Sequence, residues 1–253
     1  MQTMQERLHQ QRQQKRRHAR VRLVLLLVLL VVLGLAWHFV HRPGFAFGDV
    51  TITGTKLFTR QDLVRLGGSQ LPVNLFNLSR RQLVRALKED VRVADASASY
   101  GWGLLHVQVV ERQPLVYLAN SLNSYVKVDA HGLVLDIGSG IKDAAVPLYS
   151  GVHCGSAYIG DQIKTPEVVN VLNFMQGLSS EARAQIAEIV LEPDQKIQIR
   201  LKYGFPVLLG PVSDVGLKAK SELFMTVFEE LKDKRVKAKY IDLQYTKPFI
   251  KLQ

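Results

Sequence analysis

Cysteine is almost missing from this chain: Cys154 stands alone among 253 residues. One thiol cannot build an internal disulfide framework, so the folded parts must be held by packed cores. Acidic residues are nearly missing from the start, where Glu6 alone opposes Arg7, Arg12, Lys15, Arg16, Arg17, Arg20 and Arg22. Residues 1–22 therefore carry +6 of the net charge of +11 in less than a tenth of the length. Charge of either sign is then absent from Leu23 to Trp37. No internal repeat is evident, and low complexity is confined to the Gln-Arg-rich tail. A phosphate-cradling loop is also lacking. Gly138-Ser139-Gly140 has no following Lys-Ser/Thr and opens no helix, so it reads as a turn.

The uncharged run continues to Val40, 18 residues interrupted only by His38. At ~1.5 Å per residue it spans roughly 27 Å, close to the ~30 Å hydrocarbon core of a bilayer. Trp37, His38, Phe39, His41 and Arg42 follow where amphipathic residues belong at the far interface. The run reads as a transmembrane helix over residues 23–40, and the basic flank predicts a cytoplasmic tail over 1–22 with everything after the span exported. Gly34 and Ala36 form a small-x-small pair, but they lie inside the apolar run behind a long basic segment. An uncleaved anchor fits better than a signal peptide. A basic tail joined directly to a span serves as a topology determinant rather than a nucleic-acid arm.

After the linker His41-Arg42-Pro43-Gly44, Phe45 to Gly54 alternates as a first strand. Thr59, with Asp62 three residues on, marks a capped helix start, and Leu63, Val64 and Leu66 supply its buried face. Ser79 and Gln82 repeat the signal ahead of Leu83, Val84 and Leu87. Residues 93–100 then set Ala94, Ala96, Ala98 and Tyr100 on one face, a stripe that lets helices approach closely. Gly101-Trp102-Gly103 turns the chain into a third strand with Leu105, Val107 and Val109 on one side. The order strand, helix, helix, strand, strand implies a three-stranded sheet covered on one face by two helices, an α+β layer. Further on, Tyr125 to Ile137 reads as a hairpin around Ala130-His131-Gly132, and Val146 to Gly151 as a short strand. Thr165-Pro166-Glu167 opens a helix, and Ile189 to Gly210 is strand-rich. A last amphipathic helix carries Leu223, Phe224, Val227, Phe228 and Leu231. The chain closes on Tyr240 to Gln253, read as one strand with Ile241, Leu243 and Tyr245 on its apolar face. Pro248, which lacks an N–H, keeps that strand at a sheet edge.

Residue types that carry chemistry are scattered. Cys154 follows His153, but neighbours along a strand point to opposite faces, so the imidazole is not placed to activate the thiol. His38 and His41 lack a third ligand, and His106 and His131 fall on a strand and a turn. The acid pairs Glu89-Asp90 and Glu229-Glu230 read as solvated faces near helix ends. The expectation is a protein with no catalysis, no cofactor, no metal and no nucleic-acid partner. The closing segment is the better candidate for function, as a partner-binding edge. Its backbone can recruit a partner's strand, Tyr245 and Phe249 offer area to bury, and Lys247 and Lys251 suit acidic partners. The same lysines and proline would equally serve to blunt an edge against aggregation.

The order of elements in residues 45–118, with Glu111-Arg112-Gln113-Pro114 closing it and VTITGTKLFTRQDL and NLFNLSRRQL inside it, resembles a POTRA domain. Basic tail, anchor, POTRA-like domain and a β-rich domain with flanking helices over 119–253 together resemble the FtsQ/DivIB family of bacterial division proteins. YVKVDAHGLVLD, VPLYSG and YIDLQYTKPFIK carry the resemblance in the second domain. It implies a non-catalytic scaffold in the plasma membrane at the division septum. Its expected partners are two bitopic coiled-coil proteins of the FtsB/DivIC and FtsL types, through which it would influence septal peptidoglycan synthesis. The POTRA-like domain would meet other divisome members. In this family the C-terminal strand is the docking edge, which implies a site built from Ile241, Leu243, Gln244, Tyr245, Lys247, Phe249 and Lys251. Gln244 departs from the arginine often found there, so an ion pair would be missing or moved. The competing reading is a membrane-anchored POTRA adaptor of another envelope or secretion assembly. No β-barrel of alternating strands follows, so an outer-membrane transporter is not a candidate.

Overall fold

The long apolar run forms the end of helix α1, Met4–Val40. Its apolar side chains from Val21 to Phe39 are exposed. The stretch Arg20–Val40 is long and apolar enough to cross a bilayer. A helix apolar all round finds its complement in lipid rather than in water, so it fits a membrane anchor. The structure is a computed structural model that describes residues 4–42, 44–120, 123–202, 205–213, 216–234, 238–245 and 247–252. Pro43, Thr246 and Gln253 lie outside the described part, as do the side chains of Arg7, Arg12, Lys15, Arg16, Arg17, His153 and Leu231. Two compact units divide the chain, Met1–Val110 and Glu111–Gln253. The division falls earlier than the expected domain boundary, because residues 114–118 already belong to a strand of the second sheet.

In the first unit, β1 (Asp49–Thr53) is followed by α2 (Arg60–Leu66), α3 (Arg80–Glu89), β2 (Val93–Gly101) and β3 (Leu104–Glu111). The sheet order is β1-β3-β2, with β1 parallel to β3. Thr59 and Asp62 close a reciprocal capping box at the start of α2, which satisfies two otherwise orphaned N–H groups. Ser79 caps α3 through the N–H of Gln82. Leu63, Val64, Leu83 and Leu87 are buried against Val50, Leu105, Val107 and Val109. Each such side chain contributes ~1.5–3 kcal/mol of burial. Of the expected alanine stripe, Ala96 is buried and Ala98 packs on the core, whereas Ala94 and Tyr100 are exposed. Tyr100 instead leans over the edge of the layer, its hydroxyl donating to the Leu78 carbonyl at 2.9 Å.

The second unit is built on nine strands. These are β4 (Pro114–Asn120), β5 (Ser124–Asp129), β6 (Val134–Gly138), β7 (Leu148–His153), β8 (Ile186–Leu191), β9 (Lys196–Leu201), β10 (Pro206–Pro211), β11 (Ala238–Asp242) and β12 (Phe249–Leu252). Their order across the sheet is β12-β11-β10-β9-β8-β7-β4-β5-β6. The pairs β4–β7, β7–β8 and β10–β11 are parallel. Parallel neighbours need long crossovers. Here the β7–β8 crossover holds α4 (Pro166–Gln176) and α5 (Ser180–Ala184), and the β10–β11 crossover holds α6 (Leu217–Lys234). Helices α4 and α6 pack together at Phe174 and Phe224, whose rings meet edge to face at 5.8 Å. They come so close at Gly177 that a Cβ there would collide with Ser221 Oγ. The β5–β6 turn is held by buried Asp129, which accepts from the N–H groups of His131 and Leu133 and pairs with Arg112 at 3.3 Å. Gly132 adopts φ +82° in that turn, where a side chain would run into the Ile163 carbonyl.

Candidate partner-binding edge

A nine-stranded sheet has two edges, and they are treated differently. At the β6 end the loop after residue 157 folds back over the start of the strand. The Val134 N–H donates to the Asp161 carbonyl at 2.9 Å, and the Gly160 N–H to the Val134 carbonyl at 2.9 Å. At the other end β12 pairs with β11 on one side and has no strand beyond it among the described residues.

The closing segment is not one strand. Tyr240 to Leu252 contains two strands, β11 and β12, folded as an antiparallel hairpin with Asp242 opposite Phe249 and Ile241 opposite Ile250. The sequence-based expectation of a single strand fails at Gln244 to Pro248. Lys220 Nζ, reaching up from α6, donates to the carbonyls of Leu209 at 2.6 Å and Gln244 at 3.4 Å and so ties down the start of the turn. The Gln244 N–H donates to Asp242 Oδ1 at 2.9 Å, which bends the backbone out of the extended state. Pro248 then precedes the first paired residue of β12, where a missing N–H costs nothing in the ladder.

This hairpin divides the expected site residues between two roles. Ile241 and Leu243 are 2% and 0% exposed and belong to the core. Val207 pairs with Ile241, and the Leu243 N–H donates to the Leu208 carbonyl at 2.8 Å. Their side chains are therefore out of reach of any partner. Gln244 is half-buried in the turn, its stem near Gly210. Tyr245, at 72% exposed, and Phe249, at 56%, are open, as are Lys247 and Lys251. The hairpin register brings Phe249 and Lys251 beside Tyr240, a residue the alternation argument left out. The Tyr240 and Phe249 rings lie 6.1 Å apart, and Lys251 Nζ sits 5.8 Å from the centre of the Tyr240 ring. On the opposite face Ile250 packs on the core, which holds the edge strand in place. A turn signal around Lys247-Pro248 was available to reveal the hairpin, because Pro disfavours a continuing ladder and constrains the residue before it.

The scattered chemical residues stay scattered. Cys154 is half-buried and its thiol donates to the Ala119 carbonyl at 3.1 Å. Burial pushes this thiol above the ordinary range, which keeps it in the unreactive protonated form. His106 Nδ1 is 2.9 Å from Thr51 Oγ1, and His41 Nδ1 is 2.9 Å from the Trp37 carbonyl. Among the described residues no three His, Cys, Asp or Glu side chains are grouped as metal ligands would be.

Residues 116–244 match the family model described as "Cell division protein FtsQ/DivIB, C-terminal". The matched stretch includes β11 and ends before β12. No curated protein matches the chain. Among solved structures the chain is similar to the major extracytoplasmic domain of the trans isomer of the bacterial cell division protein DivIB from Geobacillus stearothermophilus. The identity is 14% and the TM-score 0.33, over 50% of this chain and 98% of that one. The family match spans more than half of the sequence and lies on the sheet that carries the open edge: this chain belongs to the FtsQ/DivIB family of bacterial cell division proteins.

Proposed function

We propose that this protein is a membrane-anchored, non-catalytic scaffold of the division machinery that docks a small partner by strand addition along β12. The observation that carries the reading is the asymmetry of the large sheet, whose β6 edge is covered by a loop at its start while its β12 edge is open. An open edge offers main-chain hydrogen bonds for affinity, and side chains on alternate positions set register. Phe249 and Lys251, with Tyr240 beneath the lysine and Tyr245 on the adjoining turn, are the anchors on offer. The partners that fit the family are the FtsB/DivIC and FtsL types of bitopic coiled-coil protein, held at the septum to influence septal peptidoglycan synthesis. The basic tail supports an N-terminus in the cytoplasm and both sheets outside it. The β-α-α-β-β unit is read as a POTRA-like recruitment domain.

Affinity capture of the full-length, membrane-extracted protein tests this. Cutting the chain before Tyr240 would remove Ile241 and Leu243 from the core, so point changes on the open face are the cleaner tool. Phe249→Ala with Lys251→Glu should cost a partner about 2 kcal/mol or more, roughly thirty-fold in affinity. Circular dichroism should stay unchanged, since both side chains are exposed. Undiminished capture of the small division proteins by the double variant would contradict the proposal.

A further inference from the structure

We infer that the first unit does not stand clear of the membrane but rests one end on its lipid–water interface, with Trp102, Phe47 and Phe76 as anchors. The inference rests on reading α1 as a membrane span. Four observations point to the same end of the unit. Helix α1 stops at Val40, and Asn74, buried, donates from Nδ2 to the Val40 carbonyl at 2.7 Å. That bond fixes the end of the apolar helix against the loop carrying Phe76. Second, aromatic rings run without a break from the helix onto the folded unit. Trp37 stacks on His41 at 4.1 Å, His41 lies 6.4 Å from Phe76, and Phe76 stacks on Phe47 at 4.7 Å.

Third, the sheet register brings the β2–β3 turn to this end. Strand β3 runs parallel to β1 with Asp49 opposite Leu104, and the Asp49 N–H donates to the Gly103 carbonyl at 2.9 Å. The turn Gly101-Trp102-Gly103 thus sits beside the start of β1, two residues after Phe47. Fourth, these side chains are open: Trp102 is fully exposed, Phe76 is 53% exposed and Phe47 42%. A tryptophan with no neighbour over its indole loses the burial that its large apolar area offers. At a lipid headgroup boundary the same ring buries its body and keeps its N–H wet, which is why tryptophan collects there. A protein partner would need a second surface to arrive. The lipid surface is already continuous with the helix that ends beneath these rings, and that continuity selects it as the occupant.

The chain has two tryptophans, Trp37 and Trp102, so each can be observed alone. The full-length protein is reconstituted in phosphatidylcholine vesicles in which a fraction of the lipid is brominated at a defined depth. Trp37→Phe leaves Trp102 as the reporter, and Trp102→Phe leaves Trp37. The expected result is blue-shifted Trp102 emission, quenched most by lipid brominated near the headgroup. Water-like, unquenched Trp102 with quenched Trp37 would overturn the docking and leave the anchor intact. Neither residue quenched would sink the anchor reading, and this proposal with it.

Discussion

The two sheets of this protein are built by different kinds of instruction. In the first unit α2 and α3 each announce themselves with a capping residue, and the β2–β3 pair is joined by a two-glycine turn. Most of that unit is specified by information local in sequence, the exception being β1, which pairs in parallel with β3 across α2, α3 and β2. In the second unit three strand pairs are parallel, and they join segments separated by the β5–β6 hairpin or by whole helices. Nothing near β7 in sequence tells it to lie between β4 and β8. That position follows from where α4 and α5 pack, and a buried parallel neighbour leaves little period-two signal. The elements of the small sheet are therefore marked largely by local signals, with one parallel pairing to place, whereas the strand order of the large sheet depends at three places on how its connections pack.

The largest test of that contrast is to remove one core leucine from each unit. Leu83→Ala and Leu243→Ala, both at fully buried sites, should each cost about 2–5 kcal/mol. Chemical denaturation followed by hydrogen exchange should show each loss confined to its own unit. A loss shared equally by both would mean that they fold as one. Next comes the crossover packing. Gly177→Ala should cost about 1–3 kcal/mol, because α4 must back away from Ser221. Adding Ser221→Gly should recover part of it, and a thermodynamic cycle showing no coupling would rule out that contact as the cause. The local instruction is smaller in scale: Thr59→Ala should cost about 1 kcal/mol in the first unit and leave the second unchanged by thermal melting.

The smallest effect is a pH dependence at the end of α3. Arg92 donates to Asp90 at 3.0 and 2.7 Å and holds the carboxyl below the ordinary carboxylate range. A depressed value means that the contribution is complete above that range and is lost as pH falls through the folded value. Asp90→Asn should therefore lower stability by about 0.5 kcal/mol near neutral pH and by nothing once the wild-type carboxyl is protonated. Urea titrations at the two pH values check it.

Much of the fold was legible because its signals are short-range. The Thr59 box, the Ser79 cap, the Asp129 to Val134 hairpin turn and, in the apolar stripe of α6, Leu223, Phe224, Val227 and Phe228 all stand where the pattern puts them. Two features were not. Helix α5 is five residues long, too short to show a period. The alanine face of β2 was overread, because small residues tolerate either side. The candidate site was half legible. Alternation correctly marked Ile241 and Leu243 as apolar, but burial against β10 and α6 makes them core. Tyr240 joins the exposed cluster only because the hairpin brings Phe249 and Lys251 back beside it. A reversal of direction cannot be seen in a period-two pattern, since each arm alternates on its own.

The most direct test of the central claim is site-specific photocrosslinking in dividing cells, with the reactive group placed in turn at Phe249, Lys251 and, as an exposed control on the opposite edge strand, Asp136. The open-edge account predicts adducts with a small single-span coiled-coil division protein from positions 249 and 251 and none from 136. Adducts with that partner from position 136, or silence at both β12 positions with the protein folded and present, would contradict it.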